Sequence, residues 1–219
     1  MKIGITGSQN RIDELKEKIS SAANLVEIKG TELAQIPSIG LDAFIDLNFD
    51  DALQNLQYYL HLEMPVLLSA VKTQLAKELA GKNPTATFFG INALPTFINR
   101  SLLEASFYDE ADKNLLETLA QTLDWECKWV DDRVGMVTPR IIFMIINEAY
   151  FTVQEGTANK ADIDTGMKLG TNYPQGPFEW SEKVGLKDVY EVLEAVYQDT
   201  HDERYKICPL LKTEYYQSV

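Results

Sequence analysis

The chain has little of what metal and thiol chemistry require. It holds two histidines and two cysteines. Cys127 and Cys208 lie far apart, too few for a disulfide scaffold, and both are expected to be reduced, small apolar side chains of a cytoplasmic protein. His61 and His201 form no ligand-spaced pair with each other or with a cysteine, so no metal site is expected. Positive charge is also scarce. Twenty lysines and arginines face 33 acids, a formal net charge of −13, with the excess spread along the chain. Nucleic acids and anionic membrane surfaces both select a cationic footprint, so neither is expected as a partner. A polyanionic ligand would need a site built locally. Long apolar runs are missing too. The longest, residues 141–146, is a fraction of a membrane span, and no apolar leader follows Met1.

What is present is the composition of a folded protein, 45% hydrophobic and 24% charged, which excludes global disorder. The length of 219 residues suits two trimmed domains, or one with a smaller appendage. Over residues 1–130 short β-rich runs alternate with helical spacing. Strands are predicted at 2–6, 25–28, 43–47, 65–71, 87–91, 102–107 and 126–130. Helices are predicted at 9–23, 50–62, 72–79 and 109–123, with an irregular stretch at 31–40. This alternation implies βαβ units and a mostly parallel sheet. Past residue 131 the pattern becomes helical, at 136–155, 160–169 (stopped by Gly170), 178–184 and 186–197. A rigid Pro/Gly loop covers 173–177, and a loose tail starts at Pro209. The fold class expected is α/β plus all-α. The scattered tyrosines and phenylalanines read as core fillers rather than stacking platforms.

Three groups of residues in the second part carry a resemblance. They are Arg133-Val134-Gly135-Met136-Val137-Thr138-Pro139-Arg140, then Asn147-Glu148-Ala149, and then the stretch from Ala161-Asp162-Ile163-Asp164 through Tyr173-Pro174-Gln175-Gly176-Pro177-Phe178-Glu179. Together they resemble the C-terminal helical domain of the 3-hydroxyacyl-CoA dehydrogenase family. The first 130 residues agree with that family in element order only. The resemblance implies an abbreviated Rossmann-like domain at 1–130 and a helical dimerisation domain at 131–219. It implies NAD as cofactor, an acyl-CoA ligand, a homodimer, and oxidation of 3-hydroxyacyl-CoA to 3-ketoacyl-CoA in fatty-acid metabolism. The apolar side chains Ile141, Met144, Ile145 and Phe151 would be covered by such pairing.

The family's functional positions are altered here. Its G-x-G-x-x-G loop reads Gly7-Ser8-Gln9-Asn10-Arg11-Ile12, so only Gly7 is kept. Gly7, Ser8 and Arg11 are the candidate cofactor contacts; the same residues also read as an ordinary capped turn. The acid that meets the ribose has Lys29, or nearby Glu27, in its place. Asn92 stands where the family has its general-base histidine, and Glu104 stands where the orienting glutamate belongs. Asparagine donates a hydrogen bond but accepts no proton near neutral pH. Ser69, or Thr73, and the retained Arg140 are the substrate candidates, while Pro139 replaces a polar residue. The resemblance thus implies an NAD-dependent 3-hydroxyacyl-CoA dehydrogenase whose activity is impaired. A non-catalytic acyl-CoA-binding or dimeric interaction protein of the same fold, or a structural partner in an assembly, remains as the alternative.

Overall fold

The computed structural model describes residues 1–19 and 23–218. They form two compact units, Met1–Met136 and Val137–Val219, each described by itself.

The first unit is built on a seven-stranded sheet in the order β2-β1-β3-β4-β5-β6-β7. Its strands are β1 (Lys2–Thr6), β2 (Asn24–Glu27), β3 (Ala43–Asp46), β4 (Pro65–Ser69), β5 (Thr87–Ile91), β6 (Leu102–Phe107) and β7 (Glu126–Trp129). All neighbours are parallel except β5 and β6. The chain steps from β1 to β2 and then returns across β1 to β3. That reversal makes a topological switch point between β1 and β3, where doubly wound sheets open a crevice at their strand ends.

Two apolar layers cover the sheet. One gathers Ile3, Ile5, Leu15, Ile45, Phe89 and Trp125. The other gathers Phe44, Phe49, Tyr59, Val66 and Phe88. Strands β3 and β4 feed both layers, which is why they read as continuous apolar runs.

Several predicted elements change in the fold. Helix α1 spans Gln9–Lys18, and residues 20–22 of the predicted helix lie outside the described residues. The stretch expected to be irregular forms a 3-10 helix, Gly30–Ser38, because Leu33 and Ile36 are buried against the sheet. The helix expected at 50–62 is instead two 3-10 turns, Phe49–Asp51 and Leu53–Tyr58, divided at Ala52 (φ −145°, ψ 54°). Its two ends are tied elsewhere: Asp50 accepts hydrogen bonds from the end of β4, and Tyr59 donates to Asp46 (2.8 Å). These tertiary bonds override the helical spacing of Leu53, Leu56 and Leu60. Helix α2 is only Leu75–Leu79. The carboxylate of Asp132 caps it, accepting from the amides of Leu75 (2.9 Å) and Ala76 (2.8 Å). Helix α3 spans Lys113–Thr122.

The second unit holds α4 (Thr138–Gln154), α5 (Lys160–Thr171), α6 (Pro177–Val184), α7 (Leu186–Thr200) and α8 (Pro209–Ser218). Helix α5 runs through Gly170 and stops at Asn172, which takes the left-handed conformation (φ 57°). The tail expected to be loose is α8. Gln154 Oε1 accepts from the Leu210 amide (2.9 Å), Asn147 Oδ1 accepts from the Cys208 amide (2.8 Å), and Tyr150 donates to Glu214 (2.8 Å). Three residues of α4 thus dock the tail, with Leu211 buried.

The stretch between α5 and α6 has its own logic. Asp164 reaches from α5 to the start of α6 and accepts from the amides of Phe178 (2.8 Å) and Glu179 (3.1 Å). A Cβ at Gly176 would lie 2.2 Å from the Asp164 side chain, so glycine is demanded by close approach. Lys168 pairs with Glu179. Among the described residues no helix is long and apolar enough to cross a membrane.

Candidate active site at the C-terminal edge of the sheet

The expected catalytic pair is brought together. Antiparallel pairing of β5 with β6 sets Ile91 against Ala105, so the next residue, Asn92, falls opposite Glu104. The Asn92 amide donates to the Glu104 carbonyl (3.1 Å), and Asn92 Nδ2 donates to Glu104 Oε2 (3.3 Å). Asn92 Oδ1 accepts from the Leu94 amide at a longer 3.4 Å. These bonds orient the side-chain amide with its oxygen toward the backbone and its nitrogen toward the carboxylate. Both side chains are buried.

A primary amide carries two hydrogens. One goes to Glu104, which leaves a second donor on the same nitrogen. No group of Asn92 can take a proton away. Arg100 faces the same carboxylate. Its guanidinium lies over the Phe97 ring (4.0 Å) and donates through Nε to the Thr96 carbonyl (2.9 Å). Burial lowers the Arg100 pKa, and the charges of Glu104 and Glu14 oppose that shift.

One strand over, Ser69 ends β4. Its hydroxyl is fully buried and donates to Asp50 Oδ2 (2.9 Å). Asp50 also accepts from the amides of Val71 (2.9 Å) and Lys72 (2.8 Å). Burial pushes the Asp50 carboxyl up to about 6, against the two amides, the Lys72 charge and Ser69, which pull it down. Asp50 was not among the residues that the sequence marked as site candidates. The carboxylates Asp46, at the end of buried β3, and Asp50 and Asp51 shortly after it were the available signal. Thr73 donates its hydroxyl to Glu78 (2.7 Å).

The loop after β1 is engaged with the loop after β3. The Ser8 amide donates to Asn48 Oδ1 (2.7 Å). Arg11, expected at the helix mouth as an anion contact, is instead buried and donates through Nη1 to the Leu47 carbonyl (2.6 Å). Burying a guanidinium requires such a partner. At the end of β2, Glu27 accepts from Lys16 (2.5 Å), and the Lys29 amide donates to Glu32 (3.2 Å). A pyrophosphate needs open amides and a clear approach; the residues at this crevice do not fit that requirement.

Arg140 belongs to the helical unit. Its Nη1 donates to the Tyr205 hydroxyl (3.2 Å), and the guanidinium lies over that ring (5.4 Å). Together with Ile141, Met144 and Ile145 it lines an open groove on α4. Ile141 is 57% exposed there.

Sheet, switch point and following helical unit define a Rossmann-type α/β domain joined to an all-α domain. The chain aligns along nearly its full length with solved structures of that architecture. The crystal structure of (S)-3-hydroxybutyryl-CoA dehydrogenase PaaH1 from Ralstonia eutropha matches with a TM-score of 0.73 at 19% identity, covering 99% of this chain and 94% of that one. M. tuberculosis FadB2 matches with a TM-score of 0.75 at 16% identity, covering 99% and 93%. At these identities the likeness is one of fold.

Sequence adds a likeness to one family in the second unit. Residues 135–217 match the family model of the 3-hydroxyacyl-CoA dehydrogenase C-terminal domain. The 3-hydroxyadipyl-CoA dehydrogenase of Escherichia coli (strain K12) is 42% identical over 83 residues, 38% of this chain and 18% of that protein. A 3-hydroxybutyryl-CoA dehydrogenase of Bradyrhizobium diazoefficiens is 30% identical over 127 residues, 57% of this chain and 43% of its own length. The match therefore spans less than half of these curated relatives. The helical unit is thus similar in sequence to the C-terminal domain of the 3-hydroxyacyl-CoA dehydrogenases, and the sheet unit has the fold found in solved structures of such enzymes.

Proposed function

We propose that the protein recognises acyl-CoA thioesters oxygenated at C3, and that the oxidation of 3-hydroxyacyl-CoA to 3-ketoacyl-CoA is impaired in it. The Asn92–Glu104 pair carries this reading. Glu104 holds the amide so that its second hydrogen can meet an oxygen at C3. That donor suits a ketone or a hydroxyl equally. Oxidation needs more, because a hydroxyl proton must leave as the hydride departs. Without a base the rate falls by about two to four powers of ten. The family's hydride acceptor is NAD, and recognition of the thioester does not depend on it.

Calorimetric titration with acetoacetyl-CoA tests the reading. We expect saturable binding, weakened in Asn92→Ala. Absence of binding in the unmodified protein would refute it.

The same reading includes a homodimer formed through α4 of the helical unit. Val137, just before this helix, and Ile141 on it are exposed at 48% and 57%, and pairing across a two-fold axis would cover them. Two chains of 24.8 kDa predict a species of about 50 kDa by light scattering. A cytoplasmic setting accords with two free cysteines, Cys127 and Cys208.

A further inference from the structure

We infer that the crevice where such a sheet ordinarily takes a dinucleotide is closed by this chain's own Asn48 and Arg11, so that the protein works without a bound dinucleotide. The inference rests on four features of the switch point between β1 and β3.

The first is the amide of Ser8. In an open Rossmann loop the amides after the first glycine face the pyrophosphate. Here the Ser8 amide is spent on Asn48 Oδ1 (2.7 Å). Asn48 is itself held from two further sides. Its backbone amide donates to Asp46 (2.9 Å), and its Nδ2 donates to Asp51 (3.1 Å). Swinging the side chain away would break two bonds, those to the Ser8 amide and to Asp51, a carboxylate already paired with Lys72.

The second is Arg11. It is the one cation in the loop, and it is 2% exposed. Its Nη1 is committed to the Leu47 carbonyl (2.6 Å), so it ties α1 to the loop after β3. A guanidinium drawn out to meet a phosphate would leave that carbonyl behind.

The third is the closeness of the two loops. A Cβ at Gly7 would lie 2.8 Å from Leu47 Cβ and 3.0 Å from Asn48 Oδ1. Gly7 here serves the close approach of the two loops rather than that of a ligand. The fourth is Ile12, 5% exposed in the core. The dinucleotide fingerprint has glycine there so that helix and strand can pack closely; here an isoleucine side chain takes up core space at that position.

The experiment uses the full chain and two ligands. NADH is titrated to about 1 mM, the range of a weak complex, while acetoacetyl-CoA is titrated with and without it. The expected result is no saturable NADH binding, with thioester affinity unchanged by NADH. Saturable NADH binding in that range overturns the inference. Loss of thioester binding with NADH still silent would refute the proposed function and leave the closed crevice standing.

Amide hydrogen exchange tests the closure without any ligand. The Ser8 amide should be protected, and Asn48→Ala should speed its exchange by about tenfold or more while protection in β4 and β5 is kept. Fast Ser8 exchange in the unmodified protein overturns the closure.

Discussion

The two units keep different things. In the helical unit, the residues that carry the resemblance to the 3-hydroxyacyl-CoA dehydrogenases are engaged in packing. Asp164 caps α6, Gly176 makes room for Asp164, and Lys168 pairs with Glu179. In the sheet unit, the strand order and the pairing of positions 92 and 104 are present, but the chemical groups differ. At the positions that the resemblance assigns to the base and the glycine loop stand an amide and a stitched turn. The likeness to the family is therefore legible where residues serve architecture. Activity must be judged where they serve chemistry, and there the two units part.

The sharpest break of this contrast would come from Gly176→Ala. The added methyl would overlap Asp164, so we expect about 3 kcal/mol of destabilisation by urea unfolding. A neutral result would mean that this stretch does not serve packing.

Asp50 tests the sheet unit at nearly the same scale. Its pKa is raised from 3.8 to about 6 in the fold. A carboxyl raised by folding binds its proton more tightly in the native state. It contributes stability below the unfolded value, and that contribution is lost as pH rises through about 4 to 6. The expected loss is about 2–3 kcal/mol over this window. Asp50→Asn should flatten that part of the stability profile. An unchanged profile would show that Asp50 is not the group responsible.

Asn92→Ala comes next. Removing one donor to a neutral oxygen should cost about 1 kcal/mol, or about fivefold, in acetoacetyl-CoA affinity. A wild-type affinity would take the C3 oxygen away from this pair.

The smallest effect expected is none. Asn92→His restores the family's base beside Glu104. With the dinucleotide crevice closed, it should bring no NAD-linked turnover in a spectrophotometric assay. Measurable turnover would erase the difference between the two units and reopen the crevice.

Much of the fold follows from local pattern. The strands at 2–6, 87–91 and 102–107 begin and end where their alternating or continuous apolar runs do. The change from strand–helix alternation to helices alone is equally visible. Asn92 and Glu104 were legible as a pair through the resemblance, which sets the family's base and its glutamate twelve residues apart; that β5 and β6 pair antiparallel and bring the two side chains together was not. Helix α8 was not. Its own pattern is weak, and it is held by Asn147, Tyr150 and Gln154, between 56 and 64 residues earlier. The two 3-10 turns after β3 were likewise hidden, because Asp50 and Tyr59 answer to other strands.

The sequence by itself determined the element order, the family of the helical unit and the absence of a histidine at position 92. Only the tertiary structure decided what the altered loop does. Ser8 meets Asn48 across 40 residues and Arg11 meets Leu47 across 36, because β3 lies beside β1 in the sheet. Periodicity reports which face of an element is buried; it carries no information about which loop the strand order will bring alongside.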